Sequence, residues 1–201
     1  MIENVVFDIG GVLADFRMMD FLAEKGFDKA MARRIVRCAV TSPCWGQFER
    51  GEISEEEALA GFARQDPAIE AELRLAFDDL KGMLVPRDFA IPLLLRLKEA
   101  GYGVFYLSNY SRKAYDECAD SLSFMPHMDG GLVSFQAGMT KPSPEFFELF
   151  LACYALRAET CLFVDDSEAN VDAARALGFQ GITYTTYDAL VEGLRQMGVN
   201  L

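Results

Sequence analysis

Acidic, hydroxyl and amide side chains stand directly after short apolar runs at three places in the chain. Asp8 follows the first run, Ser108 and Asn109 follow another, and Asp165 and Asp166 follow a third. In an open α/β sheet, ligands bind just beyond the carboxyl ends of the strands. If the three runs are neighbouring parallel strands, these side chains meet at one edge of the sheet.

Such a cluster would concentrate negative charge and would need a cation. Carboxylates a few ångström apart repel one another strongly. A hard divalent cation such as Mg²⁺ relieves the repulsion, because it binds few carboxylates and completes its shell with water and phosphate oxygens. Lys141, in a loop before a predicted helix, adds a positive charge, and Ser108 adds a hydroxyl. Both groups suit a phosphate, so the residue types predict phosphoryl transfer at a Mg²⁺ site.

The elements that must position these residues are visible as short β-branched or aromatic runs. Four runs predict buried strands, over residues 4–7, 103–107, 161–164 and 181–184. Their near-continuous apolar character is typical of parallel strands covered on both faces. Helical patterns alternate with the runs, and two of them stop at Gly101 and Gly178, where a left-handed residue commonly closes a helix. This alternation predicts an α/β fold with a doubly wound parallel sheet.

One connection is far longer than a single crossover helix. Residues 16–84 have helical texture and no convincing strand. Ser54 and Glu57 have the spacing of a capping box at the start of one of these helices. We therefore predict an α/β core formed by residues 1–15 and 85–201, with a helical insertion between them.

The charge balance limits the classes of ligand. The chain has 201 residues, with 19 Lys and Arg against 31 Asp and Glu, which gives a formal net charge of −12. Such an acidic surface repels nucleic acid and anionic lipid. No run approaches the roughly 18–20 apolar residues that span a bilayer, and the five cysteines include no Cys-x-x-Cys pair. We predict a soluble cytoplasmic protein, monomeric or homodimeric, that binds neither nucleic acid nor membrane.

Four motifs occur in order along the chain, at residues 7–13, 107–109, 139–145 and 163–170. Together they resemble motifs I to IV of the haloacid dehalogenase-like hydrolases, in the subfamily with a helical cap. Four ordered motifs over nearly the whole chain are far more specific than any one of them. The resemblance implies a Rossmann-like α/β core with an inserted all-helical cap. Residues 48–54 are also similar to the cap of a branch that includes sugar-phosphate phosphatases such as glucose-1-phosphatases.

The resemblance implies a role for each residue that would contact substrate. Asp8 would be the nucleophile and would form an aspartyl-phosphate that water then hydrolyses. Ser108 would hydrogen-bond the transferring phosphoryl group with Asn109 beside it, and Lys141 would neutralise its charge. The substrate would be a small phosphorylated metabolite, and the specific expectation is a sugar phosphate.

The same resemblance implies the metal ligands. Mg²⁺ would be held by the carboxylates of Asp8 and Asp166 and by the backbone carbonyl of Gly10, with Asp165 as a further candidate. Catalysis would then consist mostly of positioning and electrostatic stabilisation. The inserted helices would close over the substrate and exclude water.

The chain departs from the family pattern at one position. The family usually carries a second Asp two residues after the nucleophile, as the acid for the leaving group and the base for water, and this chain has Gly10 there. Loss of a general acid typically costs about 10²–10⁴ in rate. Asp15, in the loop that leaves the first strand, is the nearest candidate substitute. Alternatively, the substrate has an easy leaving group, such as an anomeric sugar phosphate.

Other functions remain open on the same scaffold. A phosphomutase or a dehalogenase would use the same Asp8, although a hydrolytic dehalogenase would not require the metal that the Asp165–Asp166 pair indicates. The absent acid at Gly10 also allows a weakly active or non-catalytic phosphate-binding protein.

Overall fold

The computed structural model describes residues 1–201 and is built on a five-stranded parallel sheet. Its strands, numbered in chain order, are β1 Asn4–Phe7, β2 Ala14–Phe16, β3 Leu84–Pro86, β4 Gly103–Ser108, β5 Gly130–Val133, β6 Cys161–Asp165 and β7 Gln180–Thr183. The strand order in the main sheet is β5-β4-β1-β6-β7, with every neighbouring pair parallel. The first strand is therefore central, and the predicted doubly wound α/β fold is confirmed.

The chain forms eleven α-helices. They are α1 Met18–Glu24, α2 Lys29–Val40, α3 Pro43–Glu49, α4 Glu55–Ala63, α5 Glu70–Phe77, α6 Ala90–Glu99, α7 Arg112–Glu117, α8 Ser134–Ala137, α9 Pro144–Tyr154, α10 Glu168–Ala176 and α11 Tyr187–Gln196. Short 3₁₀ helices cover Pro67–Ile69, Ala119–Leu122, Met125–His127 and Ala158–Thr160. None of the helices is both long and apolar enough to cross a bilayer.

Helices cover both faces of the sheet, as the apolar runs predict. Along β1, Val5 and Phe7 pack in a cluster with residues of α6 and α11, whereas Val6 between them packs with α9 and α10. All three side chains are fully buried. Because successive side chains of a strand point to opposite faces, burial on both sides requires the unbroken apolar run.

The sequence signals for helix ends are confirmed. Gly101 and Gly178 each adopt a left-handed conformation after α6 and α10, with φ values of 89° and 99°. At the start of α4, the Ser54 hydroxyl accepts a hydrogen bond from the backbone N–H of Glu57 (3.3 Å). The Glu57 carboxylate accepts one in return from the backbone N–H of Ser54 (2.8 Å), which completes the capping box.

Five helices, α1 to α5, lie in the predicted insertion, but short strands bound it at each end. Strands β2 and β3 pair in antiparallel fashion, with Ala14 opposite Pro86 and Phe16 opposite Leu84. The sequence analysis found no strand here, because three residues are too few for a period-2 pattern to be recognised. The pairing brings together the two points where the chain leaves and re-enters the α/β core.

Strand β5 was also missed, and glycine explains the omission. It begins with Gly130 and Gly131, a residue type that is depleted in strands. A Cβ on Gly131 would overlap the backbone carbonyl oxygen of Tyr106 in β4. The glycine is therefore required by the close approach of two strands, and it removes the signal by which a strand is recognised.

Candidate active site

Three parallel strands bring the predicted acidic and hydroxyl side chains to one edge of the sheet. Asp8 directly follows β1, Ser108 ends β4 and Asp165 ends β6. Strands β4 and β6 flank β1 on its two sides. The backbone N–H of Asp8 donates to the carbonyl of Val164 (2.8 Å), which continues the β1–β6 ladder by one residue. All three side chains belong to buried residues, so the sheet fixes them in a site largely withdrawn from water.

Lys141 lies between two of these carboxylates. Its Nζ is 2.8 Å from Asp8 Oδ1 and 2.6 Å from Asp165 Oδ2, and the residue is 4% exposed. Burial acts to lower the pKa of Lys141, but the charges of Asp8 and Asp165 outweigh it and raise the pKa. The ammonium group therefore stays charged, and its fixed positive charge can neutralise that of a bound phosphate.

The carboxyl of Asp8 has a perturbed pKa. Burial, the largest influence, raises the pKa, the charge of Lys141 lowers it, and the charge of Asp165 raises it, with a result of about 6. The backbone N–H of Ile9 donates to Asp8 Oδ1 at 2.7 Å. A cation beside this carboxylate would favour its ionised form further.

The side chain of Asn109 binds the backbone of Lys141. Its Nδ2 donates to the carbonyl oxygen of Lys141 (3.0 Å), and its Oδ1 accepts from the backbone N–H of the same residue (2.8 Å). These two bonds tie the end of β4 to the loop that carries the lysine. Asn109 therefore positions Lys141, a role that the sequence analysis did not assign to it.

The two adjacent aspartates differ in their partners. Asp165 accepts hydrogen bonds from the backbone N–H of Ser167 (2.8 Å) and from Asn170 Nδ2 (3.0 Å), in addition to its ion pair with Lys141. Asp166 takes part in no side-chain hydrogen bond to another residue and faces the cavity. Asp165 is thus held in place as the partner of the lysine, whereas Asp166 keeps its oxygens free.

The free oxygens fit a divalent cation. Ligand oxygens of Asp8, Asp165 and Asp166 lie within 4.8 Å of one another. Burial, followed by the charge of Asp165, raises the pKa of Asp166, as expected of carboxylates crowded together. Gly11 adopts a φ of 77°, and a Cβ there would overlap the Asp166 carboxylate. The carbonyl of Gly10 accepts no backbone hydrogen bond and remains available as an oxygen ligand.

A cavity of about 740 Å³ opens over these residues. Its polar lining includes Asp8, Ser108 and Asp166 from the strand ends. Its apolar lining comes largely from the inserted segment: Phe16, Val40, Trp45, Phe48, Phe77, Leu80 and Met83. A phosphate bound at the strand ends would therefore have the rest of its molecule in contact with the inserted helices.

Asp15, the predicted substitute acid, is engaged elsewhere. It lies on β2 at the rim of the cavity, and its side chain is 56% exposed. Arg87 pairs with its carboxylate, with 2.7 Å between Nη2 and Oδ1. The Asp15 carboxylate is thus engaged by an arginine at an exposed position, and its role as the acid stays a prediction.

Glu49, which the sequence analysis did not assign, lines the cavity from the end of α3. Burial, the largest influence, raises its pKa, a hydrogen bond from Trp45 and the charge of Lys141 lower it, and the charge of Asp8 raises it, with a result of about 7. Its neighbour Phe48 had been assigned to the cap, but no sequence signal distinguishes Glu49 from the other acidic residues of the insertion. Its position depends on how α3 packs over the strand ends.

A family model for haloacid dehalogenase-like hydrolases matches residues 2–178. The chain therefore belongs to this family and is a hydrolase, as the four motifs predict. The match covers the α/β sheet up to the end of α10 and all the candidate site residues.

Two relatives are phosphatases by name. The chain is 29% identical to the sesquiterpene phosphatase astK of Aspergillus oryzae, over 97% of this chain and 96% of the relative. It is 28% identical to the D-ribitol-5-phosphate phosphatase of Bacteroides thetaiotaomicron, over 90% of each.

A solved structure has the same fold. A haloacid dehalogenase family enzyme of Bacteroides thetaiotaomicron, crystallised with magnesium and inorganic phosphate, superposes with a TM-score of 0.72 at 24% identity. The alignment covers 94% of this chain and 99% of that one.

Proposed function

We propose that this hydrolase is a Mg²⁺-dependent phosphatase that acts through an aspartyl-phosphate on Asp8. One observation carries the proposal: the buried carboxylate of Asp8, at the end of the central strand, lies 2.8 Å from the Lys141 ammonium group and within 4.8 Å of a ligand oxygen of Asp166. The phosphatase names of the two relatives and the magnesium and phosphate bound in the similar structure support the same activity.

The oxygen donors suit Mg²⁺ as the cofactor. The carboxylates of Asp8 and Asp166 and the carbonyl of Gly10 would hold it, with Asp165 close by but already bonded to Lys141. When bound, the ion neutralises charge on the phosphoryl oxygens and so assists attack by a carboxylate.

The chain's own residues supply the rest of the chemistry. Asp8 attacks phosphorus, and Lys141 neutralises the charge of the equatorial oxygens as the phosphoryl group transfers. Ser108, 1% exposed at the end of β4, donates its hydroxyl to one of those oxygens. Asn109 and Asp165 act through the lysine, because they hold its backbone and its ammonium group.

The inserted residues 16–84 act in this proposal as a cap that covers the substrate. For the substrate itself we propose a sugar phosphate or polyol phosphate, which the cap segment 48–54 and the ribitol-phosphate relative support. The aromatic rings of Trp45 and Phe48 line the cavity and would contact the carbon skeleton of such a substrate.

The apolar lining favours a second candidate substrate, the phosphate of an apolar alcohol. Phe77, Leu80 and Met83 extend the apolar surface of the cavity beyond the two aromatic rings. A sesquiterpene phosphatase is among the relatives. A comparison of kcat/KM for glucose 1-phosphate, ribitol 5-phosphate and farnesyl phosphate distinguishes the two classes.

Phosphate release tests the proposed activity. We expect turnover of p-nitrophenyl phosphate that requires Mg²⁺, is lost on chelation and falls to background in Asp8→Asn. The exposed Asp188→Asn serves as the matched control and should keep the wild-type rate. Turnover that survives Asp8→Asn would overturn the mechanism, and no turnover of any phosphate monoester by the wild type would favour the non-catalytic alternative.

A further inference from the structure

At the position where the family usually carries its acidic residue, this protein has Gly10 and therefore no side chain. Gly10 lines the cavity, and a Cβ placed on it would meet only Phe16, at 4.0 Å. No other group has moved into this space from the strand ends. A side chain that protonates the leaving group would therefore lie elsewhere on the cavity wall.

Four carboxyl groups line the cavity, and three have other roles. Asp8 is the proposed nucleophile, Asp166 has its oxygens free for the cation, and Asp15 is paired with Arg87. The fourth is Glu49, at the carboxyl end of α3. It enters from the inserted segment, which is the side of the cavity where the leaving group would lie.

Glu49 is not neutralised by a cation. The neighbouring Arg50 is turned to Glu52, with 2.7 Å between Nε and Oε1. Burial raises the pKa of Glu49, the Trp45 side chain and the charges of Lys141 and Arg50 lower it, and the charge of Asp8 raises it, with a result of about 7. A general acid works best when its pKa lies near the operating pH, because both of its protonation states are then accessible.

The core fixes the position of Glu49. The buried Ser134, at the start of α8, donates its hydroxyl to the carbonyl oxygen of Glu49 at 2.6 Å. The same hydroxyl accepts from the backbone N–H of Tyr110 at 2.8 Å, two residues after Ser108. One side chain thus links the end of α3 to the loop that follows the phosphate-binding strand β4.

We propose that Glu49 is the general acid and base of this enzyme and replaces the Asp that the family usually carries at the position of Gly10. This inference rests on the proposed phosphatase function. In the first step the bond from Asp8 to phosphorus forms, the bond from phosphorus to the leaving oxygen breaks, and Glu49 gives its proton to that oxygen. In the second step Glu49 takes a proton from water as the water oxygen bonds to phosphorus. The bond to Asp8 then breaks, which releases inorganic phosphate and restores both carboxyl groups.

A leaving-group comparison tests this role in the Mg²⁺-loaded enzyme. Glu49→Gln keeps the size of the side chain and removes its titrating proton. The probes are p-nitrophenyl phosphate, whose phenolate leaves without a proton, and benzyl phosphate, whose alkoxide requires one. Neither leaving group carries a hydroxyl besides the ester oxygen, so lost sugar recognition would not affect the result. The measured quantity is kcat/KM, which reports the first phosphoryl transfer.

We expect Glu49→Gln to lower kcat/KM for benzyl phosphate by about 10²–10⁴ and to change that for p-nitrophenyl phosphate by less than tenfold. Activity on the second probe also shows that the variant is folded. Glu56→Gln, an exposed residue of α4 paired with Arg74, is the control and should leave both values unchanged. An equal loss on both probes, or no loss on either, would overturn the proposal for Glu49. If Glu49→Gln gives one of these two results while Asp8→Asn still abolishes turnover, the proposal for Glu49 fails and the proposed phosphatase function is retained.

Discussion

At the scale of single residues, the site depends on one lysine placed between two buried carboxylates. Lys141 contacts Asp8 and Asp165, and its side chain is 1% exposed. Without it, two like charges would face each other in a site from which water is largely removed. The lysine is therefore a structural residue as well as a candidate for catalysis.

Removal of this lysine should destabilise the protein. We expect Lys141→Met to lower the free energy of unfolding by about 3–5 kcal/mol, because it leaves two buried carboxylates without a neutralising charge. Added Mg²⁺ should restore part of the loss, since the cation can neutralise the same oxygens. Urea denaturation with and without Mg²⁺ measures both effects. Lys98→Met, which breaks a more exposed pair with Asp129, should cost about 1 kcal/mol or less. Equal effects of the two substitutions would contradict this prediction.

The affinity for Mg²⁺ should depend on pH. Asp8 has a pKa of about 6, so below that value the carboxyl is increasingly protonated and must lose its proton before it can bind a cation. We expect the Mg²⁺ dissociation constant to rise roughly tenfold for each pH unit below 6 and to level off above it. Calorimetric titrations between pH 5 and pH 8 provide the measurement. A constant affinity across this range would show that Asp8 is not a ligand.

The sequence identified the residues of the motifs but not all of their roles. Asp8, Ser108 and Asp165 could be predicted because each follows an apolar strand, and parallel strands place their ends together. The bonds from Asn109 to the lysine backbone depend on side-chain orientation, which spacing does not encode. A role for Glu49 is harder still to predict from the sequence, because α3 reaches the strand ends only through packing of the insertion.

At the scale of secondary-structure elements, glycine both permits close packing and hides a strand. Strand β5 lies against β4 with no room for a side chain at Gly131. The residues around β4 pack tightly, with Phe105 in contact with Phe150 and Tyr154. The edge of the sheet formed by β4 and β5 is thus tightly packed.

A methyl group added at Gly131 should destabilise the protein. We expect Gly131→Ala to lower the free energy of unfolding by about 1–3 kcal/mol, because the new Cβ would overlap both the backbone carbonyl oxygen and the ring of Tyr106. Thermal unfolding measures the change. Gly138→Ala, at a site with no neighbouring atom within 4 Å but a φ of 67°, separates overlap from backbone strain and should cost about 1 kcal/mol. A Gly131 variant as stable as the wild type would show that β4 and β5 move apart easily.

The elements that could be predicted from the sequence are those whose hydrophobic pattern and end residues lie within one continuous segment. The helices that follow capping residues, such as α4, and the strands buried on both faces, such as β1 and β6, carry their pattern within one segment. Strands β2 and β3 do not, since each has three residues and gains its stability from the other. Their partner lies far away in the sequence, so no local pattern marks them.

At the scale of the whole molecule, the surplus of acidic residues acts against the folded state. The net charge of −12 produces repulsion across the surface, and only a few carboxylates are drawn into the site. The substrate proposed here is also an anion. The lysine and the cation are therefore needed to reverse the sign of the local potential at the strand ends.

Screening of this repulsion should stabilise the protein. We expect the Tm to rise by a few degrees as NaCl is increased from about 20 to 200 mM, because the Debye length shortens to less than 10 Å over that range. Differential scanning calorimetry without divalent ions measures the effect and avoids specific binding at the site. A Tm that falls with salt would show that surface ion pairs outweigh the net repulsion.

The antiparallel pair of β2 and β3 has a consequence for how the chain folds. Strand β1 must find its parallel partner β4, with Val5 opposite Val104, across the whole helical insertion. Contacts this distant in sequence fold slowly, because a long loop has to close first. Once β2 and β3 have paired, the insertion is closed off as a side loop, and β1 and β4 are joined by a short effective path. The cost of closing this loop then falls on the pairing of β2 with β3, which shortens the effective separation of β1 and β4 without changing the contact order, a quantity fixed by the native contacts.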